Sequence, residues 1–213
     1  DILYTNSLSR EFKPVNLGFK VTVKGECTRR DVLNHNVVGV IPGKSSKKIV
    51  LSAHIDHLGK KDGAKGEGKD NIFNGAIDNG SAVAAMMVSA KILNEYRHKL
   101  HYTVVVLACH AEEAGLLGSK YYVQSLKKRG DVIANINFES TPVWGKSSDF
   151  MAGGARFSTL EDMLKGIVEK HGLKYSYFSM TNQGFFYRSD QFSFARYDIP
   201  AIWISAGEND DSG

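Results

Sequence analysis

Cysteine is scarce: the 213 residues hold only two, Cys27 and Cys109. Two thiols cannot build a disulfide framework. Cys109 closes an apolar run and reads as a small buried core residue, so a Cys27–Cys109 bridge is not expected. Long hydrophobic runs are missing too. Nothing approaches the roughly 18 apolar residues that a membrane-spanning helix needs, so no span is expected. Residues 1–10 lack the charged-then-apolar order of a signal peptide, so no targeting signal is expected in them. Charge of one sign is not concentrated. The net charge is +4, with short basic clusters at Lys60-Lys61 and Lys127-Lys128-Arg129, which read as solvated surface and not as a nucleic-acid stripe. There is no internal repeat and no low-complexity linker.

What is present suits a globular chain: 42% apolar and 23% charged residues, at a length that fits a single domain over 1–213. Residues 18–24 alternate apolar and polar, as a half-buried strand does. Further strands are expected at 36–41, 48–53, 102–109, 132–138 and 199–205. Helices are expected at 81–97, 116–129 and 158–171, with a short one at 191–196. Ser158 with Glu161 forms a capping-box pattern, and Lys127, Lys128 and Arg129 with Gly130 mark a helix end. The polar, glycine-rich stretch 59–74 is a loop long enough to suggest a functional role. Strands alternating with helices predict an α/β fold, a largely parallel sheet covered by helices on both faces. In such sheets ligands bind beyond the carboxyl ends of the strands.

The chemistry-bearing residues fall at those ends. One strand runs into His54-Ile55-Asp56-His57, another into His110-Ala111-Glu112-Glu113, and a third ends in Glu139; Asp78 stands just before a helix. Each piece alone has a plain explanation. His-x-Asp can be a surface or core pair, Glu112-Glu113 an acidic first turn, and Asp78-Asn79-Gly80-Ser81 a turn and N-cap. Together they put one imidazole and three carboxylates at one sheet edge, a cluster that is costly without a cation. Mixed nitrogen and oxygen donors suit zinc, with manganese or cobalt as substitutes. A bridging carboxylate would hold two ions about 3.5–4 Å apart. Asn79-Gly80-Ser81 also matches a glycosylation acceptor, a match read as accidental because it lies within the site.

At this point the sequence resembles the zinc-dependent exopeptidases that include bacterial aminopeptidases, glutamate carboxypeptidases and glutaminyl cyclases. The resemblance rests on Ser52–Gly59, Asn74–Asn79, Ala111–Ser119 and Arg188-Ser189-Asp190-Gln191-Phe192 leading to Ile199-Pro200-Ala201. It implies a three-layer α/β fold with a central, mostly parallel mixed sheet, and an aminopeptidase acting on peptide substrates with two zinc ions. His54 would bind one ion, Glu113 the other, and Asp78 both, while Glu139 would ligate through its longer arm with altered geometry. Glu112 would be the general base toward a water acidified by the metals, and Asp56 would orient His54. A cis peptide is implied after Asp78. Phe185, Phe186, Tyr187, Arg188 and Gln191 fall where substrate would bind, although Arg188 is expected to pair with Asp190. Two positions depart from the family pattern: Glu139 replaces an Asp and Gln191 a His. The family's last zinc ligand, a His beyond the final strand, is not in the sequence, so a fragment cut at the C-terminal end, and conceivably trimmed at the N-terminal end, is expected. Many relatives are secreted or periplasmic, and the same location is expected here. Two rival readings stay open: a one-zinc glutaminyl cyclase, and a catalytically dead binding relative.

Overall fold

A computed structural model describes residues 2–61, 70–140, 145–178 and 183–207. The chain divides into two compact units, Asp1–Leu33 and Asn34–Gly213. The α/β architecture described below belongs to the second unit.

In the first unit a short helix, α1 (Ile2–Ser7), precedes a segment without regular structure. The strand expected at 18–24 does not form. Phe19, Val21 and Val23 are 67%, 74% and 86% exposed. Alternation makes a strand only where a neighbour takes its backbone hydrogen bonds and a core takes its apolar face, and neither is present here.

The second unit is built on a seven-stranded mixed sheet. Its strands are β1 (Val37–Ile41), β2 (Ser45–His54), β5 (Tyr102–Cys109), β6 (Val132–Phe138), β7 (Asp149–Gly153), β8 (Lys174–Ser176) and β9 (Ala201–Ala206). A separate small ladder joins β3 (Gly59–Lys60) and β4 (Ile72–Phe73) across the loop foreseen at 59–74, of which 62–69 lie outside the described residues. The sheet order is β1-β5-β2-β6-β9-β7-β8. The four central strands β5, β2, β6 and β9 run parallel. β1 and β7 run antiparallel to their neighbours β5 and β9.

Helices cover both faces. On one, Val50, Val105, Leu107 and Cys109 pack with Val123 of α3 (Leu117–Ser125) and Phe194 of α5 (Gln191–Ala195). On the other, Leu51, Ala53 and Val104 pack with Met86 of α2 (Ala82–Glu95), and Ala152 and Ile202 pack with Leu160 and Leu164 of α4 (Leu160–Lys170). Successive residues of a strand thus serve opposite cores, which is why β2 and β5 read as unbroken apolar runs. Cys27 is exposed, Cys109 is buried, and both are free. Among the described residues no helix is long and apolar enough to cross a membrane.

Three expectations change in detail. The helix foreseen at 116–129 stops at Ser125, because Leu126 turns to extended backbone (φ −66°, ψ 121°) before a short turn at Arg129–Asp131. The capping box at 158–161 does not form: Thr159 precedes the helix without a side-chain cap, Ser158 Oγ accepts from the Leu160 amide at 3.3 Å, and Glu161 accepts from Tyr177 Oη at 2.8 Å and pairs with Lys165. Strands β7 and β8 were not foreseen. β7 carries a buried aspartate, Asp149, and a glycine, a composition that does not advertise a strand.

Candidate metal centre

The four parallel strands end at one rim, and the acidic residues and histidines collect there. β2 ends in His54, which is 2% exposed. Its Nδ1 lies 2.9 Å from the Asp56 backbone carbonyl, which can only accept, so Nδ1 donates there and Nε2 is the ring nitrogen turned toward the cluster. That Nε2 faces Asp78 Oδ1 at 3.1 Å. Asp56 meets His54 through its backbone carbonyl, with the carboxylate Oδ1 3.9 Å from Nδ1. The carboxylate is engaged elsewhere. Its Oδ1 accepts from the Glu112 amide at 3.0 Å and its Oδ2 from the Glu113 amide at 3.2 Å.

Asp78 lies in the distorted turn Ala76–Ser81, where Asp78 and Asn79 leave helical geometry. The Asp78–Asn79 peptide is cis, as the resemblance implies. Asn79 is 2% exposed and donates from Nδ2 to the Phe138 carbonyl at 3.2 Å, which agrees with reading the glycosylation match as accidental. Past β5 the chain bends sharply, with amides of Gly115 and Leu116 returning to the Glu112 carbonyl and Ala111 at φ +60°. This bend turns Glu112 and Glu113 into a cavity of about 340 Å³ that His54, Asp78 and Glu139 also line.

Glu139 follows β6 and is fixed from below. Its Oε1 accepts from Asn137 Nδ2 at 2.7 Å and closely from Ser189 Oγ. Asn137 also donates to Ser189 Oγ at 2.8 Å and to Gln191 Oε1 at 3.3 Å, and its Oδ1 accepts from Ser52 Oγ at 2.7 Å. Asn135 reaches Ser52 Oγ at 2.9 Å. Ser52, Asn135, Asn137, Ser189 and Gln191 are all buried and form a hydrogen-bonded polar seam from β2 through β6 to α5, invisible to a reading that treats β6 as an apolar strand.

Crowding of carboxylates sets the proton affinities. Burial, reinforced by Asp190, Glu139 and Glu113 and opposed by His54, pushes Glu112 up to about 8. Burial likewise raises Glu139 to about 7 against the Ser189 hydrogen bond and His54. Burial alone would lower His54, but Glu139, Glu112 and the Asp56 carbonyl hold it above its ordinary value. Beneath them Asp190 is fully buried and raised by burial, and it lifts the buried Cys109 thiol further.

The expected substrate-side residues divide. Phe185 and Arg188 line the main cavity. Phe186 and Tyr187 line an adjoining aromatic annex of about 140 Å³, which shares Phe178, Phe185 and Trp203 with it. Gln191 lines neither: it is fully buried, with Nε2 donating to the Phe186 carbonyl at 2.9 Å. The expected Arg188–Asp190 pair is not made. Arg188 lies over the Phe185 ring at 5.1 Å, while the Asp190 carboxyl faces Ser119 and Cys109. His57, quoted only within its motif, was not foreseen in the cluster; it stands beside Asp78 and Glu113.

The donor set fits a cation. The ion pairs of Asp78 and Glu113 are with imidazoles, His54 and His57. Burial and neighbouring carboxylates drive two carboxyls nearby, Glu112 and Glu139, toward their protonated forms, and a bound cation would favour their charged forms.

Known proteins fit this picture. The chain is 31% identical to carboxypeptidase G2 of Pseudomonas sp. (strain RS-16) over 141 residues, covering 64% of this chain and 32% of that protein. It is 29% identical to leucine aminopeptidase 2 of Trichophyton equinum over 184 residues, covering 81% of this chain and 33% of that protein. The chain thus spans about a third of the length of these relatives. In fold it is similar to the Legionella pneumophila LapA aminopeptidase (TM-score 0.63, 23% identity, 81% of this chain and 44% of that one). It is also similar in fold to a glutaminyl cyclase from an Acidobacteriales bacterium (TM-score 0.60, 18% identity, 82% of this chain and 59% of that one). A family profile matches residues 36–212, nearly all of the α/β unit and every strand-end residue described above, and by that match the chain belongs to peptidase family M28.

Proposed function

We propose that the protein is a zinc-dependent exopeptidase, an aminopeptidase that removes terminal residues from peptides. The observation that carries this reading is the half-buried carboxyl of Glu112, set in the same cavity as His54, Asp78, Glu113 and Glu139. Zinc held by these side chains would supply Lewis-acid polarisation of the scissile carbonyl and would acidify a water. Glu112 takes the proton from the attacking water and passes it to the leaving amine. Its proton affinity of about 8 suits a group that must both take and give a proton near neutrality, and cationic charge in the cavity would lower it further toward that range. Asp56 fixes the Glu112 backbone, so the carboxyl is held at the cavity wall. Asn137 and Ser189 hold Glu139 in one orientation. The aromatic annex lined by Phe186 and Tyr187 receives an apolar terminal side chain.

Arg188 supports a second reading. It lines the cavity and is not tied to Asp190, so it could meet a substrate carboxylate and favour release from a C-terminus instead. Activity on leucine p-nitroanilide against activity on N-acylated dipeptides with a free carboxylate separates the two. Conversion of an N-terminal glutamine without hydrolysis would point to the cyclase. In the zinc-loaded protein, Glu112→Gln lowers kcat by about 10²–10⁴-fold and leaves zinc content by elemental analysis unchanged. Turnover that survives the substitution removes Glu112 as the base.

A further inference from the structure

β1 runs antiparallel beside β5, with Val37 opposite Ala108, so the residue just before β1 stands at the rim where β5 ends. That residue is Asn36. It is half-buried, and its side chain reaches the bend that carries Glu112 and Glu113. Asn36 Oδ1 accepts from the His110 amide at 3.0 Å, where the bend leaves β5. Asn36 Nδ2 donates to the Gly118 carbonyl at 2.8 Å, where the bend enters α3. The Gly118 amide closes the ring by donating to the His110 carbonyl at 3.0 Å. One side-chain amide thus sits between the two ends of the bend as a third peptide group would.

The bend needs such a hold. Ala111, Gly115 and Leu116 have φ of +60°, +103° and +62°, and Ala111 and Leu116 carry side chains. Left-handed backbone at such residues is unfavourable and persists only where the surroundings enforce it. Asp56 takes the Glu112 and Glu113 amides at the tip of the bend, and Asn36 takes its neck. The fit at the neck is close: a Cβ at Gly118 would run into the His110 carbonyl and Asn36 Oδ1. Asparagine offers an acceptor and a donor side by side on a short arm; a carboxylate lacks the donor, and glutamine is longer by a methylene.

We infer that Asn36 is a positioning residue for the proposed hydrolysis: it fixes the bend 110–118 and thereby the place of the Glu112 carboxyl in the cavity. This role rests on the exopeptidase reading and falls to a residue outside the cavity lining. The plain alternative is a stability role, in which Asn36 ties the start of β1 to α3 and leaves Glu112 where it is.

The test is Asn36→Leu in the full chain, which keeps the approximate shape and removes both hydrogen bonds. Kinetics on leucine p-nitroanilide with zinc-loaded protein are read beside backbone hydrogen exchange on metal-free protein. Both are measured at a temperature where circular dichroism shows wild type and variant fully folded. A misplacement of about 1 Å costs about a hundredfold and a smaller one less, so kcat should fall at least about tenfold with KM within about threefold. Exchange should quicken at least about tenfold over 110–118 and stay unchanged in β2 and β6. Gly118→Ala pushes Asn36 out of the neck from the other side; it should lower kcat likewise, and the double variant should lie within about twofold of the slower single one. A kcat within about twofold of wild type overturns the assignment, as does a rise in KM with kcat intact, or exchange that quickens equally in bend and sheet. Should Asn36→Leu not fold, Asn36→Asp is held to the same thresholds, since it sets a carboxylate oxygen against the Gly118 carbonyl. A folded, zinc-loaded wild type without peptidase activity overturns the exopeptidase reading and this role together; an active wild type with an undisturbed variant overturns this role alone.

Discussion

Asp56→Asn tests whether the loops after β2 and β5 are locked together through one carboxylate. That carboxylate accepts two backbone amides, from Glu112 at 3.0 Å and Glu113 at 3.2 Å, across a separation of 56 and 57 residues. Asparagine keeps the shape but has one oxygen. Its amide group would face a backbone N–H, donor against donor. A hydrogen bond to a charged acceptor contributes about 1.5–3 kcal/mol. The Glu112 amide is partly buried and should give most of that; the Glu113 amide is exposed, and water can replace much of its share. A net loss of about 2–3 kcal/mol follows, or roughly 4–12 °C in Tm for a domain of this size. Thermal unfolding followed by circular dichroism on metal-free protein reads it without stabilisation by bound ions. Because Glu112 shifts with its backbone, kcat should also fall, by about a hundredfold for a displacement near 1 Å. A Tm within about 2 °C of wild type together with kcat within about twofold would refute the clamp.

Two further outcomes follow from the same site. Glu112 at about 8 and Glu139 at about 7 hold protons in the folded state that the unfolded chain, near 4.5, has already released. Stability of the metal-free protein is therefore fully present below about pH 4.5 with respect to these groups and falls as pH rises to about 8; Tm should be lower at the upper end, and zinc should restore more of it there than at the lower end. Gly153→Ala would drive a methyl group into the Trp203 indole, which lines both the cavity and the annex. Overpacking of this kind costs about 1–3 kcal/mol; KM for bulky apolar terminal residues should rise and the tryptophan emission should shift, whereas an unchanged emission would mean that Trp203 does not move.

The central sheet was legible because its strands are buried on both faces. Val132–Phe138 and Tyr102–Cys109 were expected at the boundaries observed, and His54, Glu112-Glu113 and Glu139 stood out as charged residues directly after apolar runs. The edge was less legible. Residues 18–24 have the alternation of a strand and no partner, whereas β7 and β8 have partners and little alternation; pairing is a property of the fold and not of the segment. His57 was passed over because it lies beyond the end of β2, with two residues between it and His54, and only its contact with Glu113 reveals that it turns to the same cluster. Asp190 was assigned to Arg188 by proximity in sequence. At the start of α5 the chain instead directs it inward, toward Ser119 and Cys109, and leaves Arg188 over Phe185.

The polar seam beneath Glu139 bears on how the protein reaches its working form. Ser52 and Asn137 meet across 85 residues of chain, and Asn137 meets Ser189 across 52. None of these groups can stay buried without the others, since each orphaned donor or acceptor would cost about 1–3 kcal/mol. Contacts so distant along the chain form only after the loops between them have closed, which makes folding slow and collective. Glu139 is therefore set in place only when β2, β6 and α5 have all docked. A chain halted partway has no half-built centre, and activity, if measured during refolding, should return with the last phase of sheet assembly and not ahead of it.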